Sequence, residues 1–392
     1  MSADASAARP APAELPDTVD TVIVGAGLMG SATAWHLSQR RVDALVLEQF
    51  EPATSRGSSH GSARIVRRAY PEDDYVRLTG EAFEWWRELE IQSGTTLLRM
   101  TGGLDHGSWR QPEVIAEALA RHDVPHELLS AHEAGRRFPG MVFEGPALFH
   151  PQAGTVDVDS GVHAFLDLAA ASGGRQVSGV EVTGLDVDED GVTVRTTAGT
   201  VRARTAVVTA GGWVEEVVGA RAPLPPIRVT EHRVFHFPRR DESVTWPVTL
   251  HRDALDVYHL PGGRDAGPGN ARKIAEHTGP VSSARSREGV VDEASRARIV
   301  EYVERWLPGL EPTPFAETTC LYTSTPTEDF LIDRVGPLVV VSACSGHGAK
   351  LAPTVGRIAA DLVTGDDQVV SRFTFSAHAD TSFPATRTIR SA

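Results

Sequence analysis

Short apolar runs alternate with amphipathic segments along the chain from residue 19 onwards. Residues 19–24 (VDTVIV) and 44–47 (ALVL) are rich in β-branched and aliphatic residues, a pattern typical of buried strands. Residues 31–40 (SATAWHLSQR) lie between them and predict a helix. A strand, a helix and a second strand in this order predict a parallel sheet.

Both kinds of pattern recur towards the C-terminus. Amphipathic helices are predicted over residues 81–92, 160–172 and 353–364, strands with a hairpin over 180–208, and one more buried strand over 337–343. Residues 260–290 are rich in Gly, Pro, Arg and Ser and predict a loop-bearing β region. The mixture predicts an α/β portion combined with an α+β portion.

A glycine motif of the form GxGxxG follows the first predicted strand, at Gly25, Gly27 and Gly30. Glycines there permit a tight turn and close approach of the backbone to a pyrophosphate, while the helix N-terminus stabilises its negative charge. Glu48 follows the second strand and can accept hydrogen bonds from a ribose diol. Leu28 and Met29 complete the predicted dinucleotide site, and the motif by itself does not distinguish NAD from FAD.

Length and charge narrow the class of protein. A chain of 392 residues with 41% hydrophobic residues is long enough for two domains. The formal net charge of −14 disfavours nucleic acid and anionic membrane surfaces as partners. Residues 1–17 are small and Pro-rich, which predicts a disordered leader and not a signal peptide. Two cysteines give no disulfide framework and fit a cytoplasmic protein.

The basic residues are unusually biased, since 36 of the 38 are Arg and only Lys273 and Lys350 are Lys. Where Arg fills nearly every basic position, a retained Lys marks a place that needs a compact ammonium. The alternative is that both lysines are chance survivors of a GC-rich coding bias.

Four short motifs occur in an order that points to a known family. They are GAGLMG at the first helix, Ser58 to Arg67 (SSHGSARIVR), Cys320 to Thr323 (CLYT) and Ser345 to Lys350 (SGHGAK). Together they resemble the monomeric sarcosine oxidase and N-methyltryptophan oxidase family of flavoenzymes, over residues from about 18 to about 375.

The resemblance implies a Rossmann-type FAD-binding domain and a discontinuous substrate domain built on a mainly antiparallel sheet. We expect the first to comprise residues 18–90, 150–215 and 325–392, and the second residues 91–149 and 216–324. The resemblance also implies FAD bound covalently through Cys320. From the residues alone, a core cysteine is the favoured interpretation of Cys320, since that is the commoner fate of a free thiol. Cys344 lies in an apolar run and is expected in the core.

Roles for individual side chains follow from the same resemblance. Arg64 is similar to an arginine beside the flavin ring, and His60 to a histidine near the covalently bound edge. Arg67 and Lys350 correspond to the pair that holds the substrate carboxylate, Lys273 to the lysine that activates O2, and His277 to a pocket histidine. The predicted cofactor site also includes Ser58, Gly61, Val182, Gly211, Trp213, Gly346, His347 and Gly348, with Lys350 at its edge; no metal site is predicted.

The chain also departs from the family pattern. Val257 stands where we expect a tyrosine, and His259 where we expect a glycine, so both are assigned to an altered substrate pocket. Segment 262–272 (GGRDAGPGNAR) is longer and more polar than in the family. These differences leave the identity of the substrate open.

The resulting hypothesis is a monomeric FAD-dependent oxidase of a small amine that carries a carboxylate, with O2 as acceptor. An N-methyl amino acid would give an imine, then an aldehyde and an amine, together with H2O2. Alternatives are an oxidase of cyclic imino acids resembling proline or pipecolate, or of a natural-product amine. An NAD(P)-dependent Rossmann reductase would have no use for Cys320 or Lys273, and a noncatalytic binding module would not need both lysines.

Overall fold

The computed structural model describes residues 14–264, 271–366 and 370–384. The greater part of the predicted leader, residues 1–13, and most of the polar segment 262–272 lie outside the described residues. Within these described ranges, no helix is both long enough and apolar enough to cross a lipid bilayer.

Strands and helices alternate along the described chain. The strands are β1 Thr18–Val24, β2 Ala44–Leu47, β3 Arg64–Arg67, β4 Leu98–Met100, β5 Gly103–His106, β6 Glu127–Leu129, β7 Ala147–His150, β8 Ala153–Val156, β9 Arg175–Val177, β10 Val182–Asp188, β11 Gly191–Thr196, β12 Gly199–Val208, β13 Arg228–Phe237, β14 Val248–Arg252, β15 Asp256–Pro261, β16 Arg272–Glu276, β17 Ala316–Ser324, β18 Leu331–Val335 and β19 Leu338–Ser342. The helices are α1 Leu28–Gln39, α2 Asp73–Ser93, α3 Pro112–Arg121, α4 Ala131–Arg137, α5 Val158–Ala171, α6 Val214–Val218, α7 Glu293–Trp306, α8 Ala352–Thr364 and α9 Phe375–His378.

The first sheet has a parallel centre in which β1 lies between β2 and β12, with β9 beyond β2. The long strand β12 pairs along its other edge first with β11, antiparallel, and then with β19, parallel. Two antiparallel hairpins, β10–β11 and β18–β19, complete the eight strands. This is the Rossmann-like sheet that the βαβ pattern predicts.

Both faces of this sheet are covered, which explains why its strands are apolar throughout. Ile23 and Val207 face one side, where they pack with α1, α2, α5 and α8. Val22 and Val208 face the other side, where they pack with residues of the β10–β11 hairpin and α6. The alternation follows from the two-residue side-chain period of a strand.

The second sheet has the order β17-β13-β16-β15-β14-β5-β7-β6 and is antiparallel except between β14 and β5. One face packs against α7 through residues such as Phe235, Ile274 and Tyr302. The opposite face turns towards the first sheet. A small third sheet, β3-β8-β4, adjoins it.

Most predicted elements are present, and the differences occur at helix starts. Helix α1 begins at Leu28, because the second half of the glycine motif already forms its first turn. Helix α2 begins at Asp73, and the two aspartates of its first turn stabilise the N-terminal end of the helix dipole. The strands of the first sheet all fall within the segments expected to form the cofactor domain. The domain boundaries themselves stay a prediction.

Candidate active site

A cavity of about 1180 Å³ lies where the carboxyl ends of the first sheet meet the inner face of the second. The parallel strands β1, β2, β12 and β19 are each followed by residues that line it, beginning with Gly25, Glu48, Thr209 and Ala343. In open α/β sheets ligands bind at these carboxyl ends. The opposite wall consists of alternate residues of β13, β14 and β15, of Lys273 on β16, and of most residues of β17.

Nearly all the residues singled out from the sequence line this one cavity. They are Gly25, Gly27, Leu28, Met29, Glu48, Ser58, His60, Gly61, Arg64, Arg67, Val182, Gly211, Trp213, Lys273, His277, Cys320, Gly346, His347, Gly348 and Lys350. Three others, Gly30, Val257 and His259, do not line it.

The glycine turn fits the steric role that was expected of it. Gly25 has φ +101°, and a Cβ there would lie 2.9 Å from the carbonyl oxygen of Thr209. A Cβ at Gly30 would overlap the carbonyl oxygen of Gly25, so this glycine serves the close packing of α1 against the turn and not the cavity itself. The turn therefore presents bare backbone to the cavity at the N-terminus of α1.

Glu48 is held at the end of β2 by two backbone donors. The N–H of Ala26 donates to Oε2 at 2.8 Å and the N–H of Phe50 to Oε1 at 2.9 Å. Burial raises the pKa of Glu48, while these hydrogen bonds act in the opposite direction. Each carboxylate oxygen can still accept a further hydrogen bond, as binding of a ribose diol requires.

Cys320 lies on β17 with its side chain on the cavity face, opposite His232 of β13. The Nη2 atom of Arg64 lies 3.8 Å from its Sγ atom. The hydroxyl of Ser58 donates to the carbonyl of Leu321 at 2.6 Å, which fastens the segment that carries Arg64 against β17. The Cys320 thiol thus lies beside a cation at the cavity wall.

The position of Cys344 contradicts the expectation that this residue lies in the core. It follows β19 instead of lying within it, is only partly buried, and lines the cavity instead of the core. Burial nevertheless raises the pKa of its thiol. Strand β19 ends at Ser342, and the residues that follow it line the cavity.

The loop after β19 is shaped by two glycines. Gly346 has φ +71°, and a Cβ there would overlap the ring of Tyr322 and lie 2.8 Å from the ring of His277. A Cβ at Gly348 would overlap the carbonyl oxygen of Ala343. These close approaches bring Lys350, which follows the loop, to the cavity.

Arg67 and Lys350 converge on one aromatic ring although 283 positions separate them in the sequence. The guanidinium carbon of Arg67 lies 4.1 Å from the centre of the Tyr70 ring, and Nζ of Lys350 lies 5.7 Å from it. Both side chains are 6% exposed, and neither forms an ion pair with a described carboxylate. Nη1 of Arg67 has no hydrogen-bond acceptor in the described structure, and Nζ of Lys350 donates to the carbonyl of His347 at 2.6 Å.

Burial and neighbouring positive charges lower the pKa values of both cations. Burial lowers the pKa of Lys350 well below its ordinary value, and the charges of Arg67 and Arg110 lower it further. Burial likewise lowers the pKa of Arg67. Two desolvated cations with no counter-ion in the described part of the chain form a site for an anionic group of a ligand.

His277 lies beside these cations with its ring centre 5.7 Å from that of Tyr322. Its pKa is lowered to about 3, first by burial and then by the charges of four nearby cations. Those cations are Arg252, Lys350, Arg67 and Arg110. The imidazole is therefore neutral at physiological pH.

Lys273 lies on β16, 4% exposed, in the same row of side chains as Leu260 and His236 on the neighbouring strands. Its Nζ donates to the carbonyl of Ala63 at 3.3 Å. This contact places the ammonium next to the chain segment that carries Arg64. The two lysines of the protein thus line the same cavity from different walls.

The assignment of Val257 and His259 to the substrate pocket is wrong. On β15 the side chains of Asp256, Tyr258 and Leu260 face the cavity, and the intervening residues face α7. Val257 is fully buried in that apolar cluster, and His259 accepts a hydrogen bond from Arg272 at 2.8 Å. A shift of one residue along a strand moves a side chain to the other face.

The pocket accordingly keeps an aromatic wall. The hydroxyl of Tyr322 donates to the hydroxyl of Tyr258 at 3.1 Å. The alternation Asp-x-Tyr-x-Leu in residues 256–260 could have indicated this from the sequence. Tyr70, Arg110 and Arg252 also line the site, and no pattern in the sequence distinguished them.

Comparison with known proteins decides the family. Residues 20–362 match the family described as FAD dependent oxidoreductase (DAO).

The chain belongs to this family of FAD-dependent oxidoreductases.

Named relatives are similar over most of their length. The chain is 35% identical to the peroxisomal sarcosine oxidase of Homo sapiens over 367 residues, covering 88% of this chain and 92% of that protein. It is 33% identical to monomeric sarcosine oxidase of Streptomyces avermitilis, covering 88% and 93%, and 30% identical to N-methyl-L-tryptophan oxidase of Yersinia pestis, covering 87% and 94%. The resemblance found in the motifs is thereby confirmed.

Solved structures confirm the fold class. NikD, an unusual amino acid oxidase essential for nikkomycin biosynthesis, superposes with a TM-score of 0.82 at 27% identity, covering 92% of this chain and 98% of that one. Glycine oxidase from Geobacillus kaustophilus gives 0.78 at 18% identity, over 93% and 100% of the chains, a likeness of fold alone.

The residues of this FAD-dependent oxidoreductase fit the cofactor of its family. The turn around Gly25 and Gly27 leaves room for a pyrophosphate at the N-terminus of α1. Glu48 lies at the end of β2, the position of the acidic residue that binds the ribose in such folds. The cavity continues from there to Cys320 and to the cation pair. One cavity therefore joins a dinucleotide site to an anion site.

Proposed function

We propose that the protein is an FAD-dependent oxidase of secondary amino acids, either N-methylated or cyclic. One observation carries the proposal: two buried cations, Arg67 and Lys350, have no counter-ion among the described residues at the end of a dinucleotide cavity. A nicotinamide reductase has no need of such a pair beside Cys320. The names of the sarcosine and N-methyl-L-tryptophan oxidase relatives support the substrate class.

FAD, when bound, supplies the acceptor for the two electrons removed from the substrate. The glycine turn, Glu48 and the loop of Gly346 and Gly348 would hold it, with Trp213 and Val182 at the cavity wall. Arg64 would supply positive charge where negative charge develops on reduction.

Covalent attachment through the Cys320 sulfur is part of the proposal. A thioether replaces one S–H and one C–H bond by an S–C bond, so that two electrons and two protons leave, with O2 as their acceptor. The position of Sγ on the wall of the dinucleotide cavity, 3.8 Å from the Nη2 atom of Arg64, supports this attachment.

In the proposed reaction the substrate carboxylate binds between Arg67 and Lys350, which orients the carbon next to nitrogen. The amine reacts in its neutral form, and the two cations beside it favour loss of its proton. Neutral His277 contributes a hydrogen-bonding group without adding a charge. The oxidised product is an imine, which water converts to an aldehyde and an amine for an N-methyl substrate.

Lys273 is proposed to act in the second half-reaction, in which O2 takes up two electrons and two protons to give H2O2. Lys273 belongs to the second sheet, where its ammonium donates to the carbonyl of Ala63. It therefore lies on a different wall from the cation pair. A fixed cation in a site with little water stabilises a developing oxygen anion. A monomeric state and a cytoplasmic location remain predictions.

The test is peroxide release from a panel of amino acids by the purified, yellow protein. Sarcosine and other N-methyl amino acids should release H2O2 and formaldehyde, whereas proline and pipecolate should release H2O2 alone if the ring is oxidised. The matched variant Arg67→Met should lose turnover with amino acids while retaining its flavin. Absence of peroxide from every secondary amino acid would contradict the proposal.

A further inference from the structure

Two more arginines line the substrate end of the cavity, and each pairs with one carboxylate among the described residues. Nε of Arg110 lies 2.6 Å from Oδ1 of Asp105, and Nε of Arg252 lies 2.8 Å from Oδ2 of Asp256. Arg110 also donates to the carbonyl of Ala69 at 3.3 Å. Arg252 differs, because neither of its terminal nitrogens has an acceptor among the described residues.

The direction of Arg252 follows from the β14–β15 hairpin. It pairs in register with Asp256, and these two residues share a sheet face with Leu250 and Tyr258. All four line the cavity. Arg252 is also close to the pair Arg67 and Lys350, because the pKa of Arg67 is lowered by burial and further by the charge of Arg252.

Among the described residues, the cations at this end of the cavity outnumber the carboxylates that pair with them. Four cations (Arg67, Lys350, Arg110 and Arg252) face the two carboxylates of Asp105 and Asp256. Glu72 and Glu328 line the same cavity without an ion pair to any of these four cations; the side chain of Glu328 is 58% exposed, and burial raises its pKa while the charge of Arg252 lowers it. Once binding has restored the charge of Lys350, a substrate with a single carboxylate and a neutral amine would pair with one of the two excess cations and leave the other.

We propose that the preferred substrate carries a second acidic group and that Arg252 binds it. This inference rests on the proposed function, and the substrate class is then an N-methyl or cyclic amino dicarboxylic acid. Its α-carboxylate lies between Arg67 and Lys350, and its distal carboxylate accepts hydrogen bonds from the terminal nitrogens of Arg252. Asp256 orients the guanidinium through Nε, which leaves that outer edge for a bidentate contact.

Binding of unreactive acids to the holoenzyme tests the second anion site without turnover. Succinate and butyrate have the same number of carbons and differ in one carboxylate. Titration followed by the flavin absorbance should give a Kd for succinate at least about tenfold lower than for butyrate at pH 7, since one charge-assisted contact is worth about that much. Equal affinity for the two acids would overturn the inference.

Turnover tests the same idea with matched substrates. N-methylaspartate and N-methyl-2-aminobutyrate share a four-carbon skeleton, and the wild type should favour the former in kcat/KM. The double variant Arg252→Met with Asp256→Asn removes both charges and should abolish that preference. Arg252→Lys should keep part of it. Arg305→Gln, which alters an exposed pair with Glu144 elsewhere, is the control and should behave as wild type.

The outcomes separate the two proposals. If neutral N-methyl amino acids are oxidised as well as the acidic ones, the second anion site is wrong and the oxidase function stands. If N-methylasparagine is preferred over N-methylaspartate, the pair Arg252–Asp256 binds a neutral group and the inference is likewise overturned. If no secondary amino acid is oxidised although succinate binds tightly, the oxidase function fails and the second anion site remains.

Discussion

The pair of cations proposed to bind the substrate carboxylate, Arg67 and Lys350, offers the sharpest test of the site, because the protein holds the two side chains differently. Arg67 lies over the Tyr70 ring, and its Nη1 has no acceptor within the described structure, so a ligand is expected to supply the missing partner. Lys350 already donates one hydrogen bond to His347, and its pKa is lowered well below the ordinary value. Part of the binding free energy at Lys350 is therefore consumed in restoring its charge.

The expected magnitudes follow from this difference. Losing one partner of a buried charge pair costs ~2–5 kcal/mol of binding free energy. Arg67→Met should fall near the upper end, a loss of roughly a thousandfold in kcat/KM, and Lys350→Met near the lower end, roughly thirtyfold. Neither variant should unfold the protein, since removal of an unpaired buried charge relieves a desolvation cost.

The assay compares kcat/KM for sarcosine with that for dimethylamine, which lacks the carboxylate, in the wild type and in both variants. Melting temperatures and flavin content, measured on the same samples, report on folding. The amino acid should lose most of its advantage over the amine in each variant. If both compounds lose activity equally, the two cations serve the cofactor or the fold, and the reasoning from their missing counter-ions is refuted.

Three further predictions concern the cofactor, oxygen and pH. Cys320→Ala should release its flavin into acid or denaturant, whereas the wild type should stay yellow after acid precipitation; acid-released flavin in the wild type would contradict the tether. Lys273→Met should slow reoxidation of the reduced enzyme about a hundredfold or more in stopped-flow experiments, with anaerobic reduction by substrate changed far less; equal reoxidation rates would remove Lys273 from this role. Because a bound carboxylate raises the pKa of Lys350 from its lowered value, anion binding should be strongest below the free-site pKa and weaken as the pH rises through it. Calorimetry in buffers of different ionisation enthalpy should show proton uptake that Lys350→Met abolishes, and uptake that persists in this variant would assign the proton to another group.

Features that depend on neighbouring residues could be read from the sequence. The GxGxxG turn, the helix after it and Glu48 lie within 24 residues, and glycine sterics, helix polarity and strand apolarity act locally there. The two lysines stood out because nearly every other basic residue is Arg. Both line the cavity, as the resemblance implied.

Only the tertiary structure decided which side chains meet. Arg67 and Lys350 share the ring of Tyr70 because β3 and the loop after β19 converge there, and Arg110 and Arg252 reach the same end of the cavity from other elements. Strand register decided that Tyr258, and not Val257, faces the cavity. A sequence pattern states that a strand alternates, but which of its two faces meets the cavity is set by the partner on the other side, here α7.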